Sequence, residues 1–240
     1  MKQIGIMGGT FDPVHNGHLL LGRQAYSEYA LEEIWYMPSH IPPHKKDHRV
    51  ADGKDRLAML RLAVDGIPGF LVSDFEMRRE GNTYTAQTLA LLKEQYPDVR
   101  FSFIIGADSL FQLETWYHPE QVMALASLLV AGREYHAEHT LNEEAERLRQ
   151  KYGADIRLLH SRMMDISSEE IRRLAAEEKD ISAYVPVAVA SYIREHGLYS
   201  RKYSSGEGKH PAQAGEEETI SHGDKILSGK RNLCRSGTEG

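Results

Sequence analysis

The chain has 240 residues, one cysteine and a net charge of −6, from 29 Lys and Arg against 35 Asp and Glu. That length suits one large domain or one domain with an appendage, and a hydrophobic share of 41% is enough to build a core. The lone Cys234 forms no internal disulfide, the opening Met1-Lys2-Gln3-Ile4-Gly5-Ile6 reaches glycine too early for a signal peptide, no apolar run spans a bilayer, and the acidic balance excludes a general nucleic-acid surface. A cytoplasmic setting is expected, with neither membrane nor nucleic acid among the partners.

In chain order, short runs rich in β-branched or aromatic residues predict strands at Gln3–Met7, Ile34–Met37, Phe70–Asp74, Arg100–Ile105, Ser127–Ala131 and Asp155–Leu159. Helical periodicity falls between them, at Gly17–Ala30, Asp52–Asp65, Thr85–Gln95, Pro119–Ala126 and Leu141–Tyr152. Two closing helices, Ser168–Glu178 and Val187–His196, carry no strand between them. The alternation implies an α/β fold, a doubly wound (Rossmann-like) parallel sheet with helices on both faces. Ligands then sit at the carboxyl ends of the strands, where the strand order reverses. Residues 201–240 differ in kind, with seven glycines and only four large aliphatic residues. Ordering forty backbones costs about 40–80 kcal/mol, and burying four such side chains returns about 6–12. The expected division is a domain at 1–200 and a disordered tail at 201–240.

The first predicted strand leads into Gly8-Gly9-Thr10-Phe11-Asp12-Pro13-Val14-His15-Asn16-Gly17-His18. Two glycines let backbone N–H groups approach a phosphate, and the helix that follows offers a positive end. His15 and His18 sit three apart where that helix begins, so both rings can reach the same phosphate oxygens. A dinucleotide loop would need another glycine spacing and an acid after the second strand, where Pro38-Ser39-His40 stands instead. A zinc site on Asp12, His15 and His18 lacks a further clustered ligand.

Gly9-Thr10-Phe11-Asp12-Pro13-x-His15-x-Gly17-His18 resembles the signature of the nucleotidyltransferase superfamily that transfers nucleotidyl groups without a covalent enzyme intermediate. The resemblance implies ATP contacts from Gly8, Gly9, Thr10 and Phe11, with His15 and His18 holding the phosphates and stabilising transition-state charge. Ile41-Pro42-Pro43-His44-Lys45 matches a second loop, in which Lys45 serves both the triphosphate and the mononucleotide. Glu76-Met77-x-Arg79-x-Gly81-Asn82-Thr83-Tyr84-Thr85-x-x-Thr88 is similar to the pattern of bacterial nicotinate-nucleotide adenylyltransferases, in which the position of Thr85 receives the nicotinate carboxylate. From the residues alone, Thr83 or Thr85 is expected to cap the following helix.

Asp108 ends a strongly apolar strand, where an unpaired carboxylate is costly, and Trp116-Tyr117 follow. The resemblance assigns Asp108 to the adenosine ribose and the aromatic pair to the pyridine pocket. Arg133 falls where the family has an ATP-binding arginine. In Ile166-Ser167-Ser168-Glu169-Glu170-Ile171-Arg172, Ser167 and Glu170 predict a capping box, with Ile166 and Ile171 as a hydrophobic staple. The family holds ATP phosphates there, which implies roles for Ser168 and Arg172; Glu169 departs from its threonine.

The implied reaction is adenylyl transfer from ATP to nicotinate mononucleotide, giving deamido-NAD and pyrophosphate, with Mg²⁺ carried on the ATP phosphates and no protein metal site. Preference for the amide substrate, a non-catalytic nucleotide sensor and a homo-oligomer stay open.

Overall fold

The computed structural model describes residues 1–40, 50–79, 81, 83–132, 138–160 and 166–200. Lys45 with its Ile41–Lys45 loop, Asn82, Arg133 and residues 201–240 lie outside them. The described strands are β1 (Lys2–Gly9), β2 (Glu33–Pro38), β3 (Phe70–Val72), β4 (Val99–Gly106), β5 (Ser127–Ala131) and β6 (Ile156–Leu159). The helices are α1 (Asn16–Glu28), α2 (Gly53–Val64), α3 (Thr85–Gln95), α4 (Ala107–Phe111), α5 (Pro119–Leu125), α6 (Glu138–Tyr152), α7 (Ser168–Ala176) and α8 (Val187–Glu195), with a 3₁₀ turn at Leu113–Thr115. All six strands join one parallel sheet in the order β3-β2-β1-β4-β5-β6. The expected doubly wound architecture is borne out.

Strand periodicity of two divides the side chains between two cores. Ile4 and Ile6 of β1, Trp35 and Met37 of β2, and Phe101, Phe103 and Ile105 of β4 face α3, α4, α5 and α6. Met7, Ile34, Tyr36, Ile104 and Leu129 face α1, α2, α7 and α8. Burial on both faces explains the near-continuous apolar runs. No helix among the described residues is long and apolar enough to cross a membrane.

One expectation needs correction here. β4 ends at Gly106, so Asp108 does not end the strand but stands in the first turn of α4. That helix and the 3₁₀ turn after it are each a turn or so long, too short for helical periodicity to register.

Strand order reverses between β1 and β4, and there the sheet opens. Their pairing stops at Ile6 opposite Phe103. Beyond that point β1 continues with β2 to Gly9 opposite Pro38, and β4 with β5 to Gly106 opposite Ala131. The two strands therefore diverge at their carboxyl ends, leaving the crevice that this topology reserves for ligands.

Close packing under the crevice depends on Gly22 in α1. The Tyr36 hydroxyl donates to the His18 carbonyl at 3.3 Å, and a Cβ on Gly22 would lie 2.1 Å from that hydroxyl oxygen. Helix propensity alone favours Ala over Gly by about 1 kcal/mol. The clash with a rigid ring outweighs it, so Gly22→Ala should destabilise the protein by about 1–3 kcal/mol. Urea denaturation at constant m-value measures this; a stabilised variant would contradict the packing account.

Candidate active site

The crevice is floored by β1 and walled by the loop that follows it. Gly8 is exposed, while Phe11, Asp12, Val14 and His15 are buried. The loop enters α1 with His15 as the residue before the first turn. His15 and His18 lie face to face, ring centroids 3.6 Å apart, so the expected pairing of the imidazoles is present. Gly17 makes room for it, because a Cβ there would sit 3.0 Å from His15 Nδ1. The His15 backbone N–H donates to His18 Nδ1 at 3.2 Å. With Nδ1 accepting, a neutral His18 ring carries its proton on Nε2, the nitrogen a phosphate oxygen requires as donor. Phe11, at φ 51°, stacks edge-on against His18 at 5.0 Å.

The carbonyls of this loop are satisfied by donors from other segments. Here the Gly9 carbonyl accepts from Ser39 N at 2.9 Å and the Thr10 carbonyl from Arg56 Nη1 at 2.9 Å. The Asp12 carbonyl accepts from Arg172 Nη1 at 2.7 Å, and the Pro13 carbonyl from Ser168 Oγ at 3.0 Å. Ser168 and Arg172, expected at the phosphates, thus brace the loop through its backbone in this structure. Glu169 is exposed beside them. The expected capping box is half made. Ser167 Oγ accepts from Glu170 N at 3.1 Å, but the Glu170 carboxylate pairs with Arg173, a charge-assisted partner that outcompetes a backbone N–H. Ile171 is fully buried, with Ile166 packed against the same core.

Sequence reasoning missed Arg56. Its buried guanidinium donates to Thr10 O, Ser39 O, Ala51 O and His40 O at 2.8–3.2 Å. It clamps the first loop to the start of the second, the segment that leads to Lys45. Burial lowers its pKa, opposed by the nearby Asp12 carboxylate. Only its place at the start of a helix after a Pro-rich loop hinted at such a part.

The pyridine candidates lie on the α3 and α4 side. Trp116 meets Phe103 edge-on at 6.3 Å, and the Phe103 ring tip would lie 3.1 Å from a Cβ on Gly8. Phe103 therefore connects the glycine end of β1 to Trp116, a link the sequence did not signal. Tyr117 stacks on Tyr84 with centroids 4.5 Å apart, and Tyr84 immediately precedes Thr85, the first residue of α3. Thr85, Trp116 and Tyr117 are thereby gathered. Tyr84 occupies the cap position and makes no side-chain cap hydrogen bond, so neither threonine caps as expected. Thr83 instead lies beside Glu76, which also accepts from Thr88 Oγ1 at 2.7 Å. Asp108, half-buried in the first turn of α4, stands at the other lip of the crevice.

Comparison with known proteins gives a consistent picture. The cytidylyltransferase-like family model matches residues 6–174. A probable nicotinate-nucleotide adenylyltransferase of Lachnoclostridium phytofermentans is 46% identical over 199 residues, covering 83% of this chain and 100% of that protein. The nicotinate-nucleotide adenylyltransferase of Bacillus subtilis is 38% identical over 202 residues, covering 83% of this chain and 99% of its own length. The same fold recurs in the structure of the Plasmodium falciparum nicotinic acid mononucleotide adenylyltransferase complexed with NaAD. That match has a TM-score of 0.69 and 21% identity, over 83% of this chain and 98% of the other.

Removing Arg56 would leave four carbonyls without their donor. Arg56→Met should cost about 3–5 kcal/mol in urea denaturation, and a loss below about 1 kcal/mol would contradict the clamp. Glu76 supplies a pH-dependent check. Burial raises its carboxyl above the ordinary 4.5, partly offset by the hydroxyls of Thr88 and Thr83 and by Arg79. A raised acid favours protonation in the folded state, so this contribution is full below the unfolded value and fades as pH climbs through the folded one. Relative to Glu76→Gln, the wild-type urea midpoint should fall as pH rises above the ordinary carboxyl value of 4.5. A pH-independent gap would rule that out.

Proposed function

The chain belongs to the cytidylyltransferase-like family and, within it, to the nicotinate-nucleotide adenylyltransferases, and we propose that it transfers the adenylyl group of ATP to nicotinate mononucleotide. The products are deamido-NAD and pyrophosphate, a step of NAD biosynthesis. One structural observation carries the reading. Phe103, where the pairing of β4 with β1 stops, meets Trp116 edge-on and lies against Gly8, on the same β1 end whose loop carries the paired histidines.

A phosphate oxygen of the mononucleotide attacks the α-phosphorus in line, a new P–O bond forms, and the bond to the β-bridging oxygen breaks as pyrophosphate leaves. The attacking oxygen is already anionic at neutral pH, so no general base is needed. Catalysis is positioning plus stabilisation of charge as it shifts onto the leaving group. We assign His15 and His18 to the bridging and outer phosphate oxygens, with His18 donating from Nε2. Gly8, Gly9, Thr10 and Phe11 line the nucleotide side, and Asp108 accepts from the ribose. Lys45 and Arg133 complete the set on the triphosphate. Arg172 keeps further N–H donors beyond the one spent on Asp12 O, and Ser168 stands beside it.

The N-terminal turn of α3, without a side-chain cap from Tyr84, favours a carboxylate over an amide. Trp116 and Tyr117 offer flat faces to the ring. Magnesium is proposed to arrive on the ATP phosphates, supplying charge neutralisation there. Among the described residues no group of three or more His, Cys, Asp or Glu could hold a metal, and the Asp12 carboxylate already accepts from Ala51 N and Tyr199. Cytoplasmic residence belongs to the same proposal.

A pyrophosphate-release assay with ATP, Mg²⁺ and each mononucleotide tests the reading directly. Nicotinate mononucleotide should give the larger kcat/KM, and no release with either mononucleotide would refute adenylyl transfer. His18→Ala should lower kcat by about 10²–10³ with a smaller change in KM. Turnover within a few-fold of wild type would remove His18 from the role.

A further inference from the structure

The loop that carries the histidines is held by residues from the far end of the described chain. Asp12 is fully buried, and its Oδ1 accepts both Ala51 N at 3.1 Å and the Tyr199 hydroxyl at 2.7 Å. Its Oδ2 lies 3.8 Å from Arg172 Nη1. Tyr199 itself is buried and adopts φ 64°, a left-handed backbone in which a bulky residue is strained. The strain brings a hydroxyl to a carboxylate 187 positions earlier.

We propose that the Tyr199 hydroxyl, acting through Asp12, is a positioning residue that sets the histidine loop for adenylyl transfer. Asp12 is flanked by Phe11, whose ring lies edge-on against His18, and by Pro13 and Val14, both buried, which lead directly to His15. A shift of the Asp12 carboxylate therefore passes to both imidazoles. Without the Tyr199 hydroxyl, Oδ1 keeps only the Ala51 N–H among these two donors. A carboxylate with no access to water then moves towards the guanidinium of Arg172. The catalytic half of the inference rests on the adenylyltransferase reading; the positioning half stands on the hydrogen bond alone.

Tyr199→Phe keeps the ring and its packing and deletes one oxygen. In the full chain, kcat should fall about ten- to hundredfold, as for displacements of up to ~1 Å at a reacting centre. KM for both substrates should stay within about twofold, and the thermal midpoint should move by less than about 8 °C. The ring ¹H–¹⁵N signals of His15 and His18 should shift together, while those of His118 stay in place. In an Asp12→Asn background the same substitution should add little, since the path already runs through residue 12. Activity that tracks only the folded fraction, with both imidazole signals overlaying those of wild type, would overturn the assignment. If wild type itself released no pyrophosphate, adenylyl transfer would fall, and the imidazole signals would still decide whether Tyr199 positions the loop.

Discussion

A loop proposed to offer its peptide N–H groups to an anion faces one constraint before any other: those groups cannot also hold the loop together. This molecule meets that constraint by anchoring the carbonyl side. Gly9, Thr10, Asp12 and Pro13 each present a carbonyl to a donor from another segment, namely Ser39 N, Arg56, Arg172 and Ser168. Asn16, where the loop becomes α1, donates its N–H to Tyr184 O and its side-chain amide to Ala183 O. A buried carbonyl left unpaired costs about 1–3 kcal/mol, so these bonds define one loop geometry against its alternatives. The paired histidines inherit their placement from that frame.

Net charge is a poor guide to how an acidic protein meets a polyanionic substrate. At physiological salt the Debye length is about 8 Å, so distant surface charge is largely screened from the crevice. Many of the surface cations are moreover neutralised nearby. Arg147, Lys151 and Tyr152 converge on Glu114 and push its carboxyl down to about 2. Arg173 sits between Glu170 and Glu177, and Arg157 pairs with Asp155. Those pairs hold helices and turns in place but project little field. Arg172, by contrast, donates to a backbone carbonyl, that of Asp12.

The sheet was legible because burial on both faces writes itself locally, as runs such as Phe101–Ile105 whose alternate members serve opposite cores. The histidine pair was legible because its members are three residues apart and share one turn. Phe103, Arg56 and Tyr199 were not, since each acts across the fold. Phe103 lies in a predicted strand, Arg56 in a predicted helix and Tyr199 beyond the last one, and the local sequence names no partner for any of them. Their roles arise only once the splay of β1 from β4 brings Gly8, Thr10 and Asp12 within reach. The half-made capping box at Ser167 fails for a related reason. The motif was present, but Arg173 three residues on from Glu170 offered the carboxylate a stronger partner.

This also accounts for a peculiarity of the chain order, two closing helices with no strand between them. In a doubly wound sheet a helix ordinarily returns the chain for another strand. Here α7 and α8 pack on the α1 and α2 face, with Ile171, Val189 and Ile193 buried in that core. The Tyr192 hydroxyl donates to Asp55 on α2 at 2.8 Å, fixing α8 to the helix that also carries Arg56. From this footing the segment supplies Ser168, Arg172, the Ala183 and Tyr184 carbonyls and the Tyr199 hydroxyl to residues 12–16. A seventh strand would have extended the sheet at its edge, away from the β1–β4 crevice. Helices laid back across the first loop instead spend the end of the domain on the place where the sheet opens, and couple completion of the fold to assembly of the site.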